Sequence, residues 1–371
     1  MILGPTLLCI SVIACANGEA AEPKELEDAL FRLEHFDRNA TSEDSARCFE
    51  VIEAQGAIDD PKLVARLHTM MTNEELPYSV RVMALRTACE KAGDAGARAI
   101  IETLHAWSRE MFPKPPPLSA AEVSAKDLLI QAALLQRLDH LQGALSTQEP
   151  LIDWLSFVAL RGPGTLRPAA WKGLADNPGP VELRRKTALQ VVAESSDWTM
   201  CFESLLRILG SQSIPALRKI FREASASGEF HHHAGSALAH FGDEDILPDL
   251  EAWLPKLAQQ HRYAAGYAEG CIWKIKAQHP PSGLLDYVAA DRPNNVESDR
   301  SRWAMQRALE LGIPRERVRE ALLAHARRLE ASGRVEDRNN LIFVKFEGLQ
   351  VGVLEADDLP DIKIPEGLLK P

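Results

Sequence analysis

Few residues in this chain have the types and spacing that chemistry demands, and the histidines come first. His231, His232 and His233 are consecutive, with Glu229 before them and His240 after. On a helix successive side chains point about 100° apart, so the triplet cannot converge on one ion. Glu229 and His233 share a face at i,i+4, and His233 and His240 share one at i+7. Two ligands on one helix need help from elsewhere to hold a metal. His233 and His240 are therefore weak metal candidates, and a polar helix face is the simpler reading. No Gly-x-Ser-x-Gly elbow and no GxxxxGK[ST] phosphate loop occurs. Asp243-Glu244-Asp245 suits the N-cap and first turn of a helix better than a calcium loop. The expectation is no catalytic residue and no cofactor. The alternative is an enzyme or metal-binding protein with its site near His233 and His240.

Aromatic residues offer another possible site. Trp253, Tyr263, Tyr267, Trp273 and Trp303 gather in the C-terminal half. Exposed, they would form a platform for a sugar or a peptide; at helical spacing, they would fill a core instead.

The elements that must position these residues are helices. From residue 23 to 332 the chain reads as helical segments of 10–20 residues broken by Pro, Gly or Asn, with no convincing alternating stretch. Start signals recur at Thr41 with Asp44, at Asp60-Pro61, at Ser119 and at Asp243 after Gly242. The segments are also self-similar. Ala234–Leu254 carries Ala237-Leu238, a Gly242-Asp243 turn, and a second helix with Ile246, Leu247, Leu250 and Leu254. Ser79–Leu104 repeats that plan with Ala84-Leu85, Gly93-Asp94, Ile100, Ile101 and Leu104, and Leu183–Leu206 and Trp303–Leu323 follow it more loosely. A lone helix pair cannot bury its apolar stripe, so successive pairs must stack and share a core, with the small alanines allowing close approach. A four-helix bundle with insertions is the alternative.

The segment AGSALAHFGDEDILPDLEAWL resembles a HEAT repeat, of the bacterial HEAT-like kind also found in phycobilin lyases. The resemblance implies an all-α, right-handed α-solenoid of about six antiparallel helix pairs, serving as a scaffold or adaptor more often than as an enzyme. HEAT-like di-iron hydroxylases use repeated His-Glu dipeptides, and none of the eleven histidines here is followed by Glu. Lyase activity rests on no residue that can be matched.

In such repeats the second helix of each pair lines the concave surface. The corresponding stretches here are 79–91, 124–138, 183–194, 230–241, 261–276 and 299–310. They hold fourteen Lys or Arg against six acids, a net of +8 in a chain of net −11, which leaves −19 for the rest. This partition predicts an electropositive concave face to which Arg81, Arg86, Arg184, Arg185, Arg262 and Arg302 contribute. Such a face would attract an anionic partner, a protein segment or an envelope polymer. The competing reading is that these arginines are structural, bonded to neighbouring turns.

Composition and ends set the context. The chain has 371 residues, 46% hydrophobic and 26% charged, which fits neither wholesale disorder nor a multi-span membrane protein. Its acidic balance argues against a surface devoted to nucleic acid. Residues 2–16 are apolar and uncharged, too short to span a bilayer comfortably, and are followed by Asn17-Gly18-Glu19 and a charged helix. Residues 1–20 therefore read as a signal peptide cleaved after Ala16 or Ala20, although no Lys or Arg precedes the apolar run. Val12-Ile13-Ala14-Cys15 resembles a lipobox, which would make Cys15 a lipidated first residue. A buried first helix is the remaining alternative. Export, to the periplasm or the outside or as a membrane-anchored lipoprotein, is the expectation.

Of the other cysteines, Cys48, Cys89, Cys201 and Cys271 sit in apolar helical runs, without CxxC or zinc spacing, and read as small buried hydrophobes more than as a disulfide pair. The organisation expected is N-terminal HEAT-like helices over 23–112, a proline-rich connector at 113–118 and further repeats over 119–332. A tail over 333–371 follows, in which Leu341–Leu354, rich in β-branched and aromatic residues around Gly348, predicts a short β-hairpin.

Overall fold

The computed structural model describes residues 23–36, 42–112, 125–194, 201–260, 262–289 and 298–365. The expected leader with Cys15, and the proline connector, lie outside them. The described residues form nineteen α-helices and no strand. Among them no helix is long and apolar enough to cross a membrane. Contacts divide the chain into two compact units, residues 1–187 with 198–208, and residues 188–197 with 209–371.

The first unit opens with α1 (Pro23–Glu34), α2 (Ser42–Gln55), α3 (Pro61–Thr72), α4 (Tyr78–Lys91) and α5 (Asp94–Met111). It continues with α6 (Ala125–Ala132), α7 (Leu138–Ala144), α8 (Glu149–Arg161) and α9 (Arg167–Asp176). Consecutive helices pack as pairs, α1 on α2, α3 on α4 and α8 on α9, and each pair also touches the next, α2 on α4, α3 on α5 and α5 on α8. Asp60 starts α3 as expected, its carboxylate accepting from the Lys62 N–H at 2.9 Å while Pro61 fills the first helical position. Between α6 and α7 the chain makes one π-helical turn, Ala133–Arg137, which buries Ala133 and Leu134 and leaves Leu135 exposed. The fully buried Trp154 of α8 donates its indole N–H to Ser108 of α5 at 3.0 Å, so a polar atom in the core is satisfied.

Two helices bridge the division, α10 (Val181–Ala193) and α11 (Phe202–Leu209). The second unit holds α12 (Ile214–Ala226), α13 (His232–His240), α14 (Leu247–Gln260) and α15 (Arg262–Ala277). After them come α16 (Gly283–Val288), α17 (Ser298–Glu310), α18 (Arg315–Ser332) and α19 (Val335–Val351). Its cross-helix contacts give a register. His232 meets Tyr267, Ser236 meets Cys271, Lys274 meets Trp303 and the Gln278 side chain meets Arg307. Each step of about four residues on one helix matches four on the next, so α13, α15 and α17 run parallel in one layer. Arg222 with Asp249 and Ser225 with Trp253 set α12 and α14 parallel in the same way. Ala237 is fully buried in this packing, as are Ala84 and Ala188 in theirs. The turn between α13 and α14 places Gly242 at φ 70°, the left-handed cap expected there.

The β-hairpin expected over Leu341–Leu354 is overturned, since α19 continues through it to Val351. Leu341, Val344, Lys345 and Gly348 recur at helical spacing and are all buried where α19 packs on α17 and α18. Burial of that stripe outweighs a local β preference worth about 1 kcal/mol or less per residue. Gly348 is no turn residue. A Cβ there would lie 2.6 Å from the Leu354 side chain and 2.8 Å from Leu322, and its carbonyl accepts from Val353 and Leu354 N–H at 2.8 and 3.0 Å. The tail then folds back over the pair. Leu354 and Leu359 enter the core, and the buried Lys345 ammonium donates to the carbonyls of Leu359 at 2.6 Å and Ile362 at 3.1 Å.

In an exposed helix Gly→Ala stabilises by about 1 kcal/mol. Here Gly348→Ala should overpack the tail contact and destabilise by about 1–3 kcal/mol in urea unfolding. A gain in stability would mean that the tail does not rest on α19.

Candidate functional site

The six arginines expected on one face have different fates. Arg81 and Arg184 are each the fourth residue of their helix, and each reaches back ten residues to the last turn of the helix before. Arg81 Nε donates to the Met71 carbonyl at 3.0 Å, and Arg184 Nη1 to the Leu174 carbonyl at 3.0 Å. These carbonyls belong to helix ends that have no intrahelical partner. Arg81 is buried, and Arg184 also donates to Gly179 O at 3.1 Å. Burial, then the neighbouring Arg185 charge, lowers the Arg184 pKa. Arg185 pairs with Glu182 at 2.5 Å. Half-buried Arg86 turns its Nη1 toward Met83 sulfur at 3.7 Å. Arg81 and Arg184 thus serve the ends of the preceding helices, while Arg185 holds an i,i+3 ion pair with an exposed glutamate. The Arg262 side chain lies outside those described, and Arg302, on α17, is exposed.

What the structure does bring together is a polar cluster on the parallel layer of the second unit. Lys274 of α15 stands 5.0 Å over the Trp303 ring of α17, and the Trp303 indole N–H donates to His240 Nδ1 of α13 at 3.3 Å. Arg307 donates Nε to Gln278 Oε1 at 2.9 Å and pairs with Glu310 at 2.8 Å. Gln278 in turn donates to the Ala239 carbonyl at 2.8 Å, and the His279 ring bonds the Gly242 carbonyl at 2.7 Å. The C-terminal end of α13 is therefore held by side chains from the turn after α15 and from α17. Burial first, then the Arg307 and Lys274 charges, push the His240 pKa down to about 4, with Glu310 opposing.

The other end of α13 is capped by a histidine. The buried His231 Nδ1 accepts from the Ala234 N–H at 3.3 Å, and the ring also hydrogen-bonds the Val192 backbone at the end of α10. Burial lowers its pKa and that of His232. His233 is half-buried with its ring 6.4 Å from that of His231. Among the described residues no group of three or more His, Cys, Asp or Glu side chains is placed to hold a metal. His233 and His240 belong to no such group, and His240 spends Nδ1 on Trp303. The acidic triplet has a structural use too. Asp243 is buried and forms a two-pronged ion pair with Arg218, which also meets Asp245 at 2.7 Å.

The aromatic residues divide between core and surface. Trp253 is buried, donates to Ser225 at 2.7 Å and carries the Lys256 ammonium over its ring at 4.8 Å. Trp273 packs against Tyr287. Tyr267 is 60% exposed, edge-on to His232, and Tyr263 falls outside the described side chains. All four cysteines among the described residues are free thiols, and burial pushes Cys89 up to about 12.

Sequence reading missed Lys274, Gln278 and Arg307 as a cluster and His231 as a cap. Arg81 and Arg184 both stand at the fourth position of a helix that follows a short loop, a regularity that gains meaning only with their carbonyl bonds. No protein-family model, curated protein or solved structure matches the chain.

Replacing Arg81 by Met should leave the α3 end unpaired and cost about 1–3 kcal/mol in chemical denaturation. Arg302→Met should change stability by no more than about 0.5 kcal/mol. Equal effects would deny the structural role.

Proposed function

We propose that the protein is an exported, non-catalytic HEAT-like scaffold whose inner helix layer holds an anionic partner. The single observation that carries the reading is the parallel α13, α15 and α17 layer. In a right-handed solenoid of antiparallel pairs these would be the second helices of adjacent repeats. Lys274, Arg302 and Arg307 lie on two helices of that layer, with Tyr267 and His232 exposed beside them. The cationic surface is narrower than the charge partition alone implies, because Arg81 and Arg184 of the first unit serve its own backbone. The partner that fits is an acidic protein segment or an anionic envelope polymer, reached through cation clusters that act over about 8–10 Å at moderate ionic strength. Nucleic acid is not the expected partner of an exported chain.

Two measurements test this. Retention on immobilised polyglutamate and on a sulfated polysaccharide should weaken, with a flatter salt dependence, when Lys274 and Arg302 are both changed to Glu. Unchanged retention, with the helical signal intact, would reject the layer as the binding surface. For export, the mass of the chain purified from its native cells should correspond to a start at Asn17, at Ala21 or at a lipidated Cys15. A chain beginning at Met1 would overturn that part, and Cys15→Ser should release the protein from membranes only if the lipobox operates.

A further inference from the structure

Helix α13 is unusual in how its two ends are fastened. At the N-terminal end the acceptor for the Ala234 N–H is an imidazole, His231 Nδ1, where most helices use a carboxylate, amide or hydroxyl oxygen. At the C-terminal end the acceptor for the Trp303 indole N–H is again an imidazole, His240 Nδ1. An indole and a backbone amide can only donate, so both contacts require the imidazole nitrogen to be unprotonated. A proton on either Nδ1 sets donor against donor. At His231 it also places a positive charge on the positive end of the helix dipole. The helix is short, nine residues, so few internal hydrogen bonds hold it once its ends are lost.

We propose that α13 is an acid-released element, which protonation of His231 and His240 deprives of its N-cap and detaches from α17. This does not depend on the scaffold reading or on the identity of any partner.

The surroundings favour this sense. His240 faces Lys274 from α15 and Arg307 and Glu310 from α17, so two cations outweigh one carboxylate next to a half-buried ring. At His231 burial works in the same sense and outweighs the backbone bond to Val192 of α10 and the Glu229 charge from the preceding segment, which oppose it; the rings of His232 and His233 flank it from its own helix. Toward α12 this end of the helix presents rings, with Phe230 edge-on to both Phe221 and His232. The sign follows from linkage. Both groups have folded pKa values below the ordinary histidine value. The contacts are intact above about pH 6.5, and the opened state takes up protons first as the pH falls below it. For His240 alone, a shift from 6.5 to about 4 makes opening about 30-fold more favourable at pH 5 than at pH 8.

Amide hydrogen exchange of the whole chain, corrected for the intrinsic pH dependence of exchange, tests the proposal. Between pH 7.5 and 5 the peptide covering 232–240 should lose at least about tenfold in protection. Peptides from α3 and α8 should keep theirs. His231→Asn keeps an N-cap acceptor that does not titrate in this range, and with His240→Gln it should remove the acid sensitivity. Equal loss of protection everywhere, no loss at 232–240, or an undiminished loss in the double variant would each overturn it. If the double variant does not fold, nitrogen NMR of the wild-type imidazoles decides instead. Titration of both rings near the ordinary 6.5 overturns the proposal, and retention of unprotonated Nδ1 to lower pH supports it.

Discussion

The constraint on which the rest of this structure depends is the cost of ending a helix. Each α-helix leaves four N–H groups and four carbonyls without an intrahelical partner. A fold of many short helices multiplies those ends, and buried ends must be met by something other than water. Here side chains meet them. Asp60 and His231 accept from first-turn amides, while Arg81, Arg184, Gln278, His279 and Lys345 satisfy carbonyls at or beyond the last turns. The backbone is thus the first claimant on several of the basic residues. Arg81 and Arg184, two of the basic residues in the positively charged stretches, are accounted for by that demand.

The same constraint explains which parts of the molecule were legible in the sequence. Helices were, because apolar residues at three- and four-residue spacing can be counted without knowing their partners. The Gly242 turn, the Asp60-Pro61 start and the burial of Ala84, Ala188 and Ala237 followed from local rules. Leu341–Leu354 was misread because its residues are individually good strand formers, and only the presence of α17 and α18 gives the helical stripe something to cover. The arginines could not be assigned for a related reason. A guanidinium on a helix has the same sequence context whether it faces solvent or a carbonyl one helix back. Only the fourth-position placement of Arg81 and Arg184 distinguishes them, and that regularity has meaning once the bond lengths are known.

The candidate site was legible in part. The histidine run, His240 and Trp303 are prominent in the sequence, yet their relation is not, because His240 and Trp303 are 63 residues apart and meet at 3.3 Å. Charge spacing drew attention to Arg302 but not to Lys274 and Arg307, whose positions over Trp303 and against Gln278 depend on the register between α15 and α17. Periodicity gives the faces of helices; it does not give the offset at which one slides against the next.

The buried lysine of α19 has a consequence for self-association. A stack of helix pairs ends on an apolar surface that fits its own repeat, and an uncovered surface of that kind invites another copy head to tail, an open-ended mode of polymerisation. Lys345 fastens the returning segment by the carbonyls of Leu359 and Ile362, and Leu354 and Leu359 fill the position that a further helix would take. Growth from that end would first have to peel the segment away, stranding an ammonium group in an apolar setting. Head-to-tail association over α19 is thereby opposed by electrostatics as well as by shape.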